Sequence, residues 1–200
     1  MSEFSQEEKD KIEADFAKVL SYCPKVYTDP VSMAMVRKAF DLANKAHYGS
    51  RRKSGEPYIF HPLAVAKIVS GEMGLGVRSI IGSLLHDVVE DTDYTVDDIR
   101  NMFDDRIAII IDGLTKIKSA LKTKSSQAEN IRKMLLTFSE DARVILIKIA
   151  DRLHNMRTMD SMAPDRQIAI AEETRMLFVP LAHRMGFNAI KTELDDWCLI

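Results

Sequence analysis

Residues 80–91 read Ile-Ile-Gly-Ser-Leu-Leu-His-Asp-Val-Val-Glu-Asp, an apolar run that ends in one imidazole and three carboxylates. At 100° per residue, an uninterrupted helix from Val77 to about Glu90 gathers the polar side chains within an arc of about 140°. These side chains are His86, Asp87, Glu90 and Asp91. The apolar run predicts burial, and charge gathered there is costly unless a cation or a substrate proton offsets it. The stretch predicts a functional site, with a solvated acidic helix end as the plainer alternative.

Helical spacing runs through most of the remaining chain, and no stretch shows convincing strand alternation. Ser5 and Glu8 form a capping box ahead of a first helix, and Asp29-Pro30 opens another helix to about His47. Pro180 is expected to bend or end the helix that precedes it. The predicted fold class is all-α. Further helices are predicted over residues 61–70, 95–103, 106–115, 127–138, 143–157, 164–179 and 188–199.

The prediction of one helix over residues 143–157 depends on the length of this segment. Residues 143–151 alone form a β-branched apolar run that a buried strand would also suit. The run continues to Arg157 without Gly or Pro, which favours one long helix.

Two segments lack helical spacing and carry basic residues. Residues 48–57 read Tyr-Gly-Ser-Arg-Arg-Lys-Ser-Gly-Glu-Pro, which is rich in turn formers and predicts a loop suited to an anion. Residues 116–126 hold 4 lysines and no acid, which predicts a mobile loop of mainly solvated charge. Because the formal net charge is −2, the chain has no overall attraction for nucleic acid or anionic membranes. An anionic ligand therefore requires a local basic patch.

The composition is that of an ordinary globular protein, with 46% hydrophobic and 29% charged residues among 200. Cys23 and Cys198 lie at opposite ends of the chain and outside any C-x-x-C spacing, which argues against a disulfide framework or a zinc ribbon. The polar, acidic first ten residues are unlike a signal peptide, and no apolar run reaches the length of a membrane span. A cytoplasmic location is expected.

A second polar cluster lies near the end of the helix predicted over residues 143–157. Asp151, His154, Asn155 and Thr158 fall on one face of that helix. A capped, polar helix end with a structural histidine is an equally good interpretation of these residues alone. His61 precedes a proline at a helix start, where a lone histidine is more often structural than a ligand.

Taken together, His61, His86, Asp87 and Asp151 come from three predicted helices and offer two imidazoles and two carboxylates. Such a mixed set suits manganese, iron, zinc or magnesium better than copper or calcium. The spacing does not choose among these metals.

This pattern of histidines and aspartates resembles the metal-binding pattern of the HD phosphohydrolase superfamily. It is similar in more detail to one branch, the hydrolase domain of the RelA/SpoT homologue family. That family comprises the bifunctional enzymes that make and degrade guanosine tetra- and pentaphosphate, (p)ppGpp, in the stringent response. The motifs that carry the resemblance are Arg52-Lys-Ser-Gly-Glu-Pro-Tyr-Ile-Phe-His-Pro62, Leu84-Leu-His-Asp-Val-Val-Glu-Asp-Thr92, Asp112-Gly-Leu-Thr-Lys116, Gln127-Ala-Glu-Asn-Ile-Arg-Lys-Met-Leu-Leu136, Leu146-Ile-Lys-Ile-Ala-Asp-Arg-Leu-His-Asn-Met-Arg-Thr158 and Pro180-Leu-Ala-His-Arg-Met-Gly186.

The resemblance implies a helical HD bundle that removes the 3′-pyrophosphate of ppGpp or pppGpp and returns GDP or GTP. It implies one Mn²⁺ ion and a catalytic acidic pair, Glu90 and Asp91. The implied metal ligands are His61, His86, Asp87 and Asp151, and the implied substrate contacts are Arg52, Lys53, Ser54, Asn155 and Thr158. Further positive charge for a polyanionic ligand is expected from Arg51, Lys148 and Arg152.

The resemblance also implies a domain organisation. Residues 1–180 are expected to form the hydrolase domain, and residues 181–200 the start of a linker helix toward a missing synthetase domain. The chain is then a fragment of a longer enzyme that also carries regulatory domains, with no direct contact to nucleic acid or membrane. The one departure from the family pattern is Ser50, where many relatives carry Gln, which puts only a peripheral contact in doubt.

Two other functions stay open at this point. One is an HD enzyme that acts on a different nucleotide or phosphate ester. The other is a non-catalytic, nucleotide-sensing module that regulates a synthetase. The basic loop and the Glu90-Asp91 pair favour the (p)ppGpp hydrolase over the first, and the intact metal set favours it over the second.

Overall fold

A computed structural model of the chain describes residues 4–122 and 141–199. Within these ranges the structure is helical, and extended pairing is confined to one isolated bridge between Arg51 and Pro57. The all-α prediction is confirmed. The helices are α1 (Gln6–Ser21), α2 (Pro24–Thr28), α3 (Pro30–Ala46), α4 (Phe60–Lys67), α5 (Val77–Leu85), α6 (Val88–Asp91), α7 (Val96–Met102), α8 (Asp105–Lys122), α9 (Ala142–Arg157), α10 (Pro164–Glu173), α11 (Val179–Arg184) and α12 (Asn188–Trp197).

The predicted helix starts are confirmed by their caps. Ser5 Oγ accepts from the Glu8 backbone N–H at 3.2 Å, and the Glu8 carboxylate accepts from the Ser5 N–H at 2.8 Å. Asp29 accepts from the Val31 N–H at 3.1 Å, directly before α3. The predicted single helix over residues 143–157 is confirmed as α9.

The helix predicted from Val77 to Glu90 is wrong in one respect, because it is broken at His86 and Asp87. The His86 Nδ1–H donates to the Ser83 carbonyl at 2.7 Å. That carbonyl is the acceptor that a continuing helix would offer to the Asp87 N–H. The side chain of His86 therefore ends α5, and α6 starts afresh two residues later.

The mobile loop predicted over residues 116–126 is wrong for residues 116–122, which form the last turns of α8. Leu114 and Ile117 are buried, so the apolar stripe extends further than the lysine content suggested. Lys116 also pairs with Asp112 four residues earlier, at 2.6 Å. Residues 123–126 and the helix predicted over residues 127–138 lie outside the described residues.

The chain divides into two units, Met1–Ile147 and Lys148–Ile200. In the first, α5 packs against α3 and α4, and Phe16 stacks on Phe40 with ring centroids 4.2 Å apart. In the second, a π-helical segment follows α10, and α11 begins at Val179 with Pro180 in its first turn, as expected. The functional boundary predicted near residue 180 stays a prediction. None of the described helices is both long and apolar enough to cross a lipid bilayer.

Gly82 determines how closely helices approach α5 just before the His86-Asp87 break. A Cβ atom at Gly82 would lie 2.8 Å from Ile147 Cδ1 and 3.0 Å from Ile110 Cγ2. Both isoleucines are fully buried. The glycine is thus needed for close packing around the segment that presents His86.

Gly82→Ala is expected to lower the free energy of unfolding by about 1 kcal/mol, since overpacking costs about 1–3 kcal/mol and exceeds the gain in helix propensity of about 1 kcal/mol. Ile147→Val removes the Cδ1 methyl that meets the new Cβ. The double variant is therefore expected to lose less free energy of unfolding than the sum of the losses in the two single variants. Urea denaturation measures all three. Additive effects, or a Gly82→Ala protein as stable as the parent, would contradict this packing.

Candidate metal centre

His61 and His86 face each other inside the first unit. His61 lies in the first turn of α4 and His86 directly follows α5, and both are buried. Their Nε2 atoms are 3.2 Å apart. Because the His86 Nδ1–H donates to Ser83, the Nε2 lone pair of His86 points toward His61. Two ring nitrogens at this distance share a proton or a cation.

Asp87 adds a carboxylate to this pair. Its Oδ2 lies 3.0 Å from His86 Nε2 and 3.7 Å from His61 Nε2, and the residue is only 5% exposed. Ligand atoms at about 2.1 Å from one ion stand about 3.0 Å apart in an octahedron and about 3.4 Å apart in a tetrahedron. The three separations bracket these values, so His61, His86 and Asp87 fit a divalent ion.

Tyr58 contacts this group, although sequence reasoning assigned it no role. Its O–H donates to Asp87 Oδ2 at 2.6 Å, and the oxygen is also 3.4 Å from Asp91 Oδ2. Its ring packs edge-on to His61, with centroids 5.8 Å apart, and tilted against His47 at 4.6 Å. The sequence feature that could have pointed to Tyr58 is its position inside the motif from Arg52 to Pro62.

His47 is the second residue that the sequence did not reveal as part of this region. It is 3% exposed, and its Nε2 makes no hydrogen bond within the part of the chain that the structure describes. Burial lowers the pKa of His47, against the opposing pull of the Asp87 and Asp91 carboxylates. The ring therefore serves as packing for Tyr58.

The basic segment over residues 48–57 is a loop, as predicted. The Arg52 N–H donates to the Glu56 carbonyl at 2.9 Å, and Gly55 turns the chain with φ of 89°. Arg52 Nη1 lies 3.2 Å from His61 Nδ1, which places its guanidinium beside the histidine pair. Lys53 and Ser54 are exposed at the tip of the loop.

Arg51 has a different role from the one expected. Its guanidinium pairs with the Glu8 carboxylate at 2.7 Å and donates to the Gly55 carbonyl at 2.9 Å. The hydrogen bond from Arg51, together with the one from the Ser5 N–H, lowers the pKa of Glu8 to about 2. Arg51 thus ties the basic loop to the start of α1, and its charge is largely matched there.

Glu90 and Asp91 lie on the one-turn helix α6. Glu90 is half-buried and Asp91 is exposed. The Asp91 N–H donates to the Asp87 carbonyl at 3.0 Å, which fixes this turn relative to the Asp87 backbone. Both carboxylates therefore lie about one helical turn after His86 and Asp87 in the chain.

In the second unit, Asp151 is half-buried on α9. Its Oδ1 accepts from Asn155 Nδ2 at 2.8 Å, and its Oδ2 lies 3.5 Å from the buried Lys148 Nζ. Thr158 Oγ1 donates to the His154 carbonyl at 2.9 Å. The polar face predicted for this helix is thus formed, and Asn155 orients the Asp151 carboxylate.

Arg152 was expected to add positive charge toward a ligand, but it is engaged inside the second unit. Its guanidinium pairs with Glu173 and lies over the Phe178 ring, 4.4 Å from the centroid. Of the five basic residues expected to attract an anion, Arg51, Lys148 and Arg152 therefore lie beside carboxylates, those of Glu8, Asp151 and Glu173. Arg52 is the candidate that lies beside the histidine pair, and Lys53 is exposed in the same loop.

Comparison with known proteins gives the family. The HD domain family matches residues 39–188, about three quarters of the chain. The chain belongs to the HD domain family. His61, His86 and Asp87 all lie within the matched residues.

Several curated relatives of this HD domain are similar over most of its length. It is 48% identical over 164 residues to the bifunctional (p)ppGpp synthase/hydrolase SpoT of Escherichia coli, covering 80% of this chain and 23% of SpoT. It is 43% identical over 186 residues to the guanosine-3′,5′-bis(diphosphate) 3′-pyrophosphohydrolase of Aquifex aeolicus, covering 93% of this chain and 26% of that enzyme. It is 44% identical over 173 residues to the GTP pyrophosphokinase of Streptomyces coelicolor, covering 86% of this chain and 20% of that enzyme. The HD domain thus spans about a fifth to a quarter of these relatives.

A solved structure is also similar to this HD domain. It is described as "A metazoan ortholog of SpoT hydrolyzes ppGpp and plays a role in starvation responses", and it matches with a TM-score of 0.65 at 27% identity. The match covers 82% of this chain and 93% of that chain. The resemblance to the RelA/SpoT homologue family is therefore confirmed.

The pairing of Arg51 with Glu8 predicts a pH effect of known sign. The Glu8 pKa is lowered from 4.5 to about 2, so the ionised carboxylate stabilises the loop above about pH 4.5, and this contribution is lost as the pH falls through about 2. An NMR titration of the Glu8 carboxyl carbon is expected to give a midpoint near 2 in the parent. In Arg51→Gln the midpoint should be clearly higher but still below 4.5, because the Ser5 N–H continues to donate to the carboxylate. Arg52→Gln is the matched control and is expected to leave the Glu8 midpoint low. A midpoint near 4.5 in the parent would mean that Arg51 does not hold the loop.

Proposed function

We propose that this HD domain hydrolyses the 3′-pyrophosphate of guanosine tetra- or pentaphosphate, releasing pyrophosphate and GDP or GTP. The observation that carries the proposal is the convergence of three buried donor atoms, on His61, His86 and Asp87, at separations of 3.0–3.7 Å. The names of the relatives supply the substrate, because those of Aquifex aeolicus and Escherichia coli are a 3′-pyrophosphohydrolase and a (p)ppGpp synthase/hydrolase.

We assign one Mn²⁺ to His61, His86, Asp87 and Asp151. Held by these residues, Mn²⁺ would supply a Lewis acid that lowers the pKa of water and offsets charge on phosphoryl oxygens. The chain prepares its ligands beforehand: the Ser83 carbonyl fixes the tautomer of His86, and Asn155 holds one oxygen of Asp151. Manganese is chosen over iron, zinc or magnesium from the family resemblance, and the donor set is compatible with it.

The proposed reaction needs a proton acceptor and a proton donor. The oxygen of the attacking water forms a bond to the phosphorus attached to the ribose O3′, and the bond from that phosphorus to O3′ breaks. The water proton passes to the carboxylate pair, Glu90 and Asp91, and O3′ leaves with a proton as the ribose hydroxyl. Their position one turn beyond Asp87 supports this role, since a general base works within hydrogen-bond reach of the water.

Substrate binding is assigned to two groups of residues. Arg52, Lys53 and Ser54 are proposed on the guanine side, and Asn155 with Thr158 at the nucleoside. The Arg52 guanidinium beside His61 supports the first group, because it places a fixed positive charge next to the proposed metal site.

The synthase and kinase activities named for the relatives are proposed only for a longer protein of which this HD domain is the hydrolase part. The relatives are four to five times as long as the matched segment, which supports this division. We also propose a cytoplasmic location for this activity.

Removing the metal or Asp87 is expected to abolish hydrolysis. Purified protein with ppGpp and Mn²⁺ should release pyrophosphate, chelator should stop the release, and added Mn²⁺ should restore it. Asp87→Asn is expected to reduce turnover by more than about 100-fold, since even partners outside the ligand shell are worth about 10–100-fold. Asp97→Asn, on the exposed face of α7, is the matched control and should stay active.

The same assay separates the rival functions. Turnover of ppGpp that persists in Asp87→Asn or in chelator would refute the metal mechanism. Hydrolysis of another nucleotide instead of ppGpp would indicate a different HD phosphohydrolase. Tight binding of ppGpp with no pyrophosphate released by the Mn²⁺-loaded protein would indicate a sensing module.

Arg52→Gln is expected to weaken substrate binding while leaving the metal in place. A lost charge-assisted hydrogen bond predicts a KM for ppGpp about 10-fold higher or more, with unchanged manganese content. Arg100→Gln removes the same charge from α7, where Arg100 pairs with Asp97 and Asp105, and should leave KM unchanged. Steady-state kinetics and elemental analysis measure both quantities. If Arg52→Gln lowered the manganese content as well as raising KM for ppGpp, the loop would instead support metal binding.

A further inference from the structure

We propose that Tyr58 is a positioning residue that holds the Asp87 carboxylate in its metal-binding orientation. This inference deepens the proposed function and rests on it. Tyr58 acts through Asp87, to which its hydroxyl donates a hydrogen bond.

One oxygen atom, Asp87 Oδ2, meets both the Tyr58 hydroxyl and the two histidines. Asp87 Oδ2 accepts from the Tyr58 O–H at 2.6 Å, a length typical of a charge-assisted hydrogen bond to a carboxylate. The same Oδ2 is the atom that faces His86 Nε2 at 3.0 Å and His61 Nε2 at 3.7 Å. The phenol therefore fixes the oxygen that would meet the ion. A carboxylate turns easily about its last torsion, so this bond removes a freedom that the side chain otherwise keeps.

Tyr58 is itself held from several directions, which a positioning residue requires. Its N–H donates to the Ser50 carbonyl at 2.9 Å, and its carbonyl accepts from the His61 N–H at 2.9 Å. Its ring lies between two imidazoles, with centroids 4.6 Å from His47 and 5.8 Å from His61. His47 is buried, so the ring of Tyr58 rests on a part of the core.

The position of Tyr58 also connects Asp87 with Asp91. The phenol has one proton, and the shorter contact to Asp87 takes it, while Asp91 Oδ2 lies 3.4 Å from the phenol oxygen. The Asp91 N–H meanwhile donates to the Asp87 carbonyl. The Tyr58 hydroxyl thus lies between Asp87, a proposed metal ligand, and Asp91, one of the acids proposed to transfer a proton.

Tyr58→Phe tests the inference, because it keeps the ring between His47 and His61 and removes only the hydroxyl. Metal-free protein is titrated with MnCl₂ in a calorimeter, in the absence of nucleotide. The Kd for Mn²⁺ is expected to rise about 10–100-fold, the effect typical of a partner that orients a ligand. Tyr27→Phe, at a residue 59% exposed on α2, is the matched control and should bind Mn²⁺ like the parent.

Two further measurements distinguish positioning from a general structural role. The Tm of metal-free Tyr58→Phe should stay close to that of the parent, and excess Mn²⁺ should restore turnover of ppGpp with little change in KM. An unchanged Kd for Mn²⁺ in Tyr58→Phe would overturn the inference while leaving the proposed function intact. A weaker Kd that comes with a collapsed Tm would also overturn it, because the effect would then come from unfolding. A parent protein that binds no Mn²⁺ would overturn the metal assignment itself, and the inference with it.

Discussion

The structure around the site depends on one costly arrangement, two buried imidazoles and a buried carboxylate within 3.0–3.7 Å of one another. A carboxylate that is 5% exposed loses its hydration and needs donors or a cation in return. Tyr58 supplies one donor to Asp87, and a divalent ion would satisfy all three groups at once. Neighbouring features follow from this requirement. The ring of His86 takes the Ser83 carbonyl and ends α5, and Gly82 lets the surrounding helices close on the segment just before it.

Much of this could be predicted from the sequence because the signals were local. The capping box at Ser5, the Asp29-Pro30 start and the long helix α9 each rest on residues within a few positions of one another, and each is confirmed. The motifs around His61 and His86 identified the family because a motif is defined by residue types at fixed spacing, and this spacing is visible in the sequence. The comparisons agree with that identification.

The errors have physical causes that local patterns do not contain. The break after α5 depends on a side-chain bond from His86 to its own backbone, which competes with the helix and leaves the apolar periodicity unchanged. Lysine content suggested a loop after Thr115, but burial of Ile117 extends α8. Arg51 and Arg52 are neighbours with different partners, Glu8 and His61, and only long-range contacts separate their roles. Tyr58 was overlooked for the same reason, since Asp87 lies 29 positions away.

The most direct test of the central claim is the position of the metal. Crystals of this HD domain grown with Mn²⁺ give an anomalous signal that locates the ion independently of any activity. The account predicts one strong peak within about 2.0–2.3 Å of the Nε2 atoms of His61 and His86 and of Asp87 Oδ2, with Asp151 as a further ligand. A Mn²⁺ peak bound by other residues, or no peak at saturating Mn²⁺, would contradict it.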